Sequence, residues 1–505
     1  MSIYKKGIIF IIYAISFKLV IAQAVSPQQI DALPPFKTVS LNGDWLLDNL
    51  QAISAVYKTD SDKTIVLSNG LISRSFRIAP YFGCFSFKNL MNSKEMLRAI
   101  QPEAAVTLNG KSYNIGGVKG QFEYAYLQKD WLSNFSNDRA AFQFTGFDVK
   151  NISPRFAWKA KRWPFNKNTS APWPPKGKEI IFYFIAPPNS GLNVKVAIHY
   201  SLYDNLPLIS KWLTIENNGI NPIRVNAFKN EILSFVEEES VVGGKQNTLA
   251  TPHIKVESDY AFNDMSSTYS DQTTNWLADP SYTSQVNYNR QTPCLLVSEP
   301  PIGPYYKIAP HQSFEGYHSF ELLYDSYDKE RCGLAERKMY RTIAPWITEN
   351  PIFLHLTTSN PAKVKEAINQ CAATGFEMVI LSFGSGLNME DTSIANIKKF
   401  KQLADYAHSK GIQLGGYSLF SSRSIDVADD VINPKTGKPG DAIFGSAPCL
   451  GSTWGIAYLK KLNTFISKTG FDLLEHDGPY PGDICASTTH PGHEGIKDSQ
   501  WNQWW

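Results

Sequence analysis

From about residue 35 to residue 345 the apolar positions fall in short runs separated by Gly, Pro, Asn and Asp. Such runs are Thr64 to Leu67, Leu71 to Ile78, Ile180 to Ile185, Asn193 to Tyr200, Leu208 to Glu216 and His318 to Leu323. The stretch NVKVAIHYSLYD alternates apolar and polar residues, the period of a strand with one buried face. Helical periodicity is nearly absent across this region. Many short strands over such a length predict a large antiparallel β-sandwich, and WPFNKNTSAPWPPKG (163–177) reads as a long surface loop within it.

After Ile347 the pattern changes. Short apolar runs at 351–357, 376–384, 412–420 and 471–478 alternate with amphipathic helical patterns at 361–374, 391–411 and 454–469. Gly375, Gly411 and Gly470 stand at the helix exits, where a left-handed residue closes a helix. Alternating βα units predict a parallel sheet. Residues 350–505 are too few for a complete (β/α)8 TIM barrel, which needs about 250, and the polar sequence before Trp504-Trp505 carries no terminating signal. The expected architecture is therefore a multidomain β plus α/β chain, with a β-sandwich (30–345) followed by a partial TIM barrel (346–505). A small open sheet is the alternative.

Composition narrows the function by exclusion. Forty-nine basic against 46 acidic residues leave a net charge of +3, with no basic surface of the kind that binds nucleic acid. Twelve Trp and 24 Tyr suit sugar stacking and sandwich cores equally. Six Cys in a chain of 505 residues are no disulfide framework. No glycine-rich phosphate loop follows a strand, so no nucleotide, nicotinamide or flavin cofactor is expected. Lys5 and Lys6, the apolar run Gly7 to Ala22 and the small residues Val20 and Ala22 before Gln23 read as a signal peptide over 1–22. The run is short for a span and Lys18 interrupts it. A periplasmic or secreted protein without a membrane span is the expectation.

In a parallel sheet, ligands gather at the carboxyl ends of the strands. Those ends offer His355, Ser382, Tyr417, Arg423, and the group Glu475, His476 and Asp477, which runs into the loop GPYPGDICASTTHPGHEG (478–495) with Asp483, Cys485, His490, His493 and Glu494. Alternation puts Glu475 and Asp477 on one face and His476 on the other. Two such carboxylates repel unless a cation or hydrogen bonds compensate, the condition under which acid and nucleophile roles separate; Arg423 is a candidate partner for one of them. His490-x-x-His493 near Asp483 and Cys485 has metal-ligand chemistry, but Pro491-Gly492 replaces the helix that would stack the imidazoles, so a substrate-binding or loop-bracing role is expected rather than a metal. Cys449 and Cys485 are placed to form a disulfide or to remain two buried thiols, while Cys84 and Cys294 read as core residues.

The phrases SNGLISRSF (68–76) and VAIHYSLYDNLPLISKWLTIEN (196–217), ahead of a βα region, resemble the α-galactosidase-like retaining glycoside hydrolases of family 36, in a clan with families 27 and 31. The resemblance implies an exported retaining α-glycosidase acting on oligo- or polysaccharides. FDLLEHDG falls where the family carries lysine–tryptophan–aspartate, so Asp477 matches the nucleophile. Glu475, His476, Asp483, His490, His493, Tyr417 and Arg423 would then shape the substrate pocket. The family's lysine and tryptophan are Glu475 and His476 here, its later asparagine is Pro479, and its paired aspartates correspond to Ser382-Phe383. These departures leave another α-linked sugar open. The family's acid/base carboxylate would lie beyond Trp505. Competing expectations are a non-catalytic carbohydrate-binding protein, a truncated inactive hydrolase and a polysaccharide lyase.

Overall fold

The computed structural model describes residues 30–37, 43–59, 63–158, 173–262, 271–346, 351–441, 445–477 and 482–504. The expected signal segment 1–22, residues 163–172 of the Pro-rich loop, residues 478–481 and the side chain of Asp477 lie outside that set. Among the described residues no helix is long and apolar enough to cross a membrane.

Residues 55–323 form antiparallel sheets, as the alternating runs predict. The largest is seven-stranded, ordered Gln143–Asn151, Gly177–Ile185, Val194–Tyr203, Leu208–Asn217, Ser319–Leu323, Ile254–Ser258, with Ser313–Glu315 pairing alongside Leu208–Asn217. A five-stranded sheet (Ala55–Lys58 to Lys94–Glu95), two four-stranded sheets and a two-stranded one (Val118–Lys119 with Ser136–Asn137) accompany it among the described residues. The core is aromatic: Phe76 lies 4.8 Å from Phe182 and 5.0 Å from Tyr200 between ring centroids, and all three are fully buried. Tilted and edge-on ring pairs of this kind add to the area term.

Both quoted sandwich phrases meet at the centre of this core. The turn of the first puts Gly70 at φ +85°, while Asn69 caps that turn by accepting from the Leu71 and Ile72 amides. The Asn69 amide then donates to the Tyr203 and Leu206 carbonyls of the second phrase, 2.8 Å each. Arg74, from the first phrase, and Lys211, from the second, converge on Glu231 at 2.9 and 2.6 Å, and Arg74 also reaches Glu321 at 3.0 Å. All four side chains are buried. Charge this deep survives only when paired. Arg74 and Lys211 hold the Glu231 carboxyl near 2 against its burial, whereas burial and the adjacent Glu231 push Glu321 well up.

Two features depart from the pattern. Val194–Tyr203 is buried on nearly every residue rather than on alternate ones. The reason is a second layer: Trp45, Ala335 and Met339 pack with Tyr203, Leu206, Leu208 and Phe320, covering the sheet's other face at that end. Ala335 and Met339 belong to the helix Lys329–Ile343, which the sequence reading passed over and which Asp328 caps by accepting from the Arg331 amide.

The α/β region shows the expected alternation of strands and helices around a parallel sheet. Four parallel strands, Phe353–Leu356, Met378–Leu381, Gln413–Leu419 and Leu473–Asp477, lie side by side in chain order. They alternate with the helices Pro361–Thr374, Ile394–Ser409 and Thr453–Thr469, capped by Asn360, Ser393 and Ser452. Gly375 and Gly470 close two of these helices at φ +82° and +79°, the left-handed conformation that favours glycine. Gly411 sits one residue beyond the cap of the other.

A further helix, Ile496–Trp504, was unforeseen. It drives Trp501, 1 % exposed, into the sandwich core, 5.1 Å from Phe314, 5.4 Å from Tyr260 and 5.6 Å from Phe228 between ring centroids. Removing so large a buried ring leaves a cavity. Trp501→Ala is expected to cost about 3–5 kcal/mol of stability, read from the urea unfolding midpoint; a cost below about 1 kcal/mol would show that the ring is not packed.

Candidate active site

The parallel sheet has two unlike faces. Leu354, Leu356, Val379, Leu381, Leu414 and Leu474 pack into the core shared with the helices. The alternate set projects from the opposite face, and at the carboxyl end of the sheet it is polar. Glu475 Oε1 lies 2.8 Å from His355 Nε2, and Ser382 Oγ donates to Glu475 Oε2 at 3.1 Å. Three strands thus converge on one carboxylate: His355 lies in the first, Ser382 directly follows the second, and Glu475 lies in the fourth. The third adds Tyr417, in parallel register with Glu475, its ring 5.5 Å from that of Phe383. His355 is 47 % and Glu475 27 % exposed, so the group is open to a ligand.

Asp477 ends the same strand, its backbone paired with Leu419. The compensation that the sequence demanded for neighbouring carboxylates is supplied at Glu475 by His355 and Ser382. Among the described side chains, Arg423 does not supply it at Glu475. Its guanidinium donates to Glu390 Oε1 at 2.9 Å and to the Leu419 carbonyl at 3.1 Å, and it lies over the Trp454 ring at 4.7 Å. It braces the strand exit instead. His476 occupies the alternate position, in register with Ser418.

The loop residues part company with Glu475. Asp483, His490 and His493 are about 5–6 % exposed and face the loop's interior. His490 Nδ1 lies 3.5 Å from Cys485 Sγ, and His493 Nε2 lies 3.3 Å from Cys449 Sγ. Both cysteines are free thiols, so the thiol alternative holds over the disulfide. The nearness of Cys449 holds the Cys485 thiol well below its usual range, while Cys485 and burial push Cys449 up. His355 was noted only as a strand-end residue, and nothing local in PIFLHLT marks it as the partner of Glu475.

A large cavity lies elsewhere, on the seven-stranded sheet. It encloses about 950 Å³, and its lining includes Glu179, Trp212, Glu257, Asp259, Glu315, Trp173 and Trp346. Trp212 is stacked between His199, at 4.6 Å, and His318, at 4.0 Å. Burial pushes the Glu257 carboxyl up, while His318, 3.8 Å away, and Arg155 hold Glu315 down against its burial.

No protein-family model and no curated protein matches the chain. Solved structures do. The family 36 α-galactosidase AgaB of Geobacillus stearothermophilus superposes with a TM-score of 0.51 at 11% identity, covering 89% of this chain and 69% of that one. The fold is that of α-galactosidase-like glycoside hydrolases. AgaA from the same organism agrees, with a TM-score of 0.50, 11% identity and coverage of 88% and 69%. The α-galactosidase of Lactobacillus brevis is 14% identical with a TM-score of 0.47, and the present chain spans 63% of its length. At such identity the likeness is one of fold.

Proposed function

We propose that this chain is an exported retaining α-glycosidase, α-galactosidase-like in mechanism, with the parallel sheet as part of a (β/α)8 barrel. The observation that carries the reading is positional. In an α-galactosidase-like fold, the fourth parallel strand ends in Asp477, at the same edge where Glu475, His355, Ser382 and Tyr417 assemble. Asp477 attacks the anomeric carbon of an α-linked sugar and displaces the leaving alcohol, which takes a proton from a general acid; water then releases the sugar from the β-linked glycosyl ester with net retention. Glu475, held by His355, accepts hydrogen bonds from sugar hydroxyls, and Tyr417 offers a ring face to the pyranose. The sandwich corresponds to 30–345 and the catalytic part to 346–505.

The test is a panel of p-nitrophenyl α-glycosides and α-linked oligosaccharides, with the first-formed anomer followed by proton NMR. Release of the α-anomer supports the reading; a β-anomer, an unsaturated product or no release across the panel overturns it. Glu475→Gln should lose about 1.5–3 kcal/mol of transition-state binding, about tenfold to hundredfold in kcat/KM, at unchanged folding; a wild-type value removes Glu475 from the pocket. Export predicts secreted protein whose first residue is Gln23, read by amino-terminal sequencing.

A second reading is glycan binding without cleavage, favoured by the cavity on the seven-stranded sheet. Its stacked Trp212, the further indoles Trp173 and Trp346, and the carboxylates Glu179, Asp259 and Glu315 are the ingredients of a sugar groove. Calorimetric binding of an oligosaccharide that Trp212→Ala abolishes, with no turnover in the panel, would establish that reading over the first.

A further inference from the structure

Four buried side chains around the loop that follows the fourth parallel strand bring together more chemistry than either reading uses. Cys449, Cys485, His490 and His493 each offer one donor atom, and these four atoms all lie within 4.8 Å of one another. The set is two sulfurs and two imidazole nitrogens, with no carboxylate in it. Such borderline-soft donors suit zinc and disfavour magnesium or calcium.

The distances fit a tetrahedron. Zinc–sulfur bonds of about 2.3 Å and zinc–nitrogen bonds of about 2.0–2.1 Å imply sulfur–nitrogen edges of about 3.6 Å. Cys485 Sγ to His490 Nδ1 is 3.5 Å, and Cys449 Sγ to His493 Nε2 is 3.3 Å. The imidazoles approach with ring centroids 5.3 Å apart and planes at 83°. The intervening Pro491-Gly492, which removes the helix a stacked pair would need, permits this crossed arrangement.

The surroundings prepare each donor. His490 Nε2 faces the Ala428 carbonyl at 2.9 Å; since a carbonyl only accepts, Nε2 carries the proton and Nδ1 presents its lone pair to the cluster. The Ile432 amide donates to Cys485 Sγ at 3.4 Å, fixing that sulfur toward the cluster. Backbone fit is equally specific. The Gly492 amide donates to the Gly451 carbonyl at 2.8 Å; a Cβ on Gly492 would meet Gly451 Cα at 2.6 Å, and one on Gly451 would meet His493 Cδ2 at 2.6 Å. Glycine is required at both positions for His493 to reach its place.

We infer that Cys449, Cys485, His490 and His493 form a structural zinc site. Four protein ligands leave no open position, so the ion would not activate water. It would tie the loop around 482–495 to the segment that carries Cys449, just before the helix Thr453–Thr469. The inference stands whether or not the chain cleaves sugars.

The test is metal content of the purified full chain, produced without chelator in zinc-supplemented medium. About one zinc per chain is expected, falling at least about tenfold in Cys449→Ser and in His493→Ala. Cys332→Ser should keep the wild-type content, because Cys332 has His253 beside it at 3.9 Å but belongs to no four-donor cluster. Ligand variants can fail to fold, so the wild-type chain is also produced in cobalt medium. The visible absorption of a tetrahedral thiolate–imidazole cobalt site is expected there. A folded wild-type chain with neither zinc nor that spectrum overturns the site, as does zinc retained by folded Cys449→Ser or a Cys449–Cys485 disulfide found by mass spectrometry.

Discussion

Asp477→Asn is expected to lower kcat/KM on an α-glycoside at least about 10³-fold while leaving the unfolding midpoint near wild type. Losing one electrostatic donor from a hydrolase site costs about 10²–10³, and losing the nucleophile of a covalent mechanism about 10⁶. An amide cannot form the glycosyl ester, so the loss should fall in kcat as well as in kcat/KM. The companion Asp477→Gly gives a sharper readout. It leaves space at the anomeric carbon, and azide added with a p-nitrophenyl α-glycoside should displace p-nitrophenolate and yield the β-glycosyl azide. Near wild-type hydrolysis by Asp477→Asn would end the nucleophile assignment outright.

The second large effect concerns folding. Glu231→Gln should destabilise the chain by about 3–5 kcal/mol, because it removes the carboxylate that the buried Arg74 and Lys211 share at 2.9 and 2.6 Å and leaves Arg74 with Glu321 alone. A urea titration followed by tryptophan fluorescence measures the effect. A cost under about 1 kcal/mol, typical of surface pairs, would mean that water reaches these charges.

These two predictions also mark what the sequence does and does not disclose. The place of Asp477 at a strand end was legible because period and position suffice: an apolar run after an amphipathic helix ends in a carboxylate at the carboxyl edge of a parallel sheet, whereas its role as nucleophile came from the family resemblance. The helices Pro361–Thr374 and Thr453–Thr469 were legible for the same reason, since their apolar stripes and closing glycines act locally. Glu231 was not legible. Its partners Arg74 and Lys211 lie on other strands, and a lone Glu at the start of an apolar run carries no mark of burial. The same holds for His355 beside Glu475, and for Cys449 beside His493. Arg423 was not legible as the partner of Glu390, because a cation near several carboxylates has more than one acid in reach, and Glu390 lies on a loop before the next helix. The helix Ile496–Trp504 escaped because its sequence is polar apart from Ile496 and its tryptophans, and one buried indole is enough to dock it.

That indole works as a stopper. Proteolysis or an engineered truncation that removes the segment from Ile496 onward would uncork a hollow walled by Phe228, Tyr260 and Phe314. Three aromatic rings newly bared to water make a sticky patch, so preparations trimmed at this end should clump on storage. An affinity handle is better placed ahead of the sandwich than behind the plug.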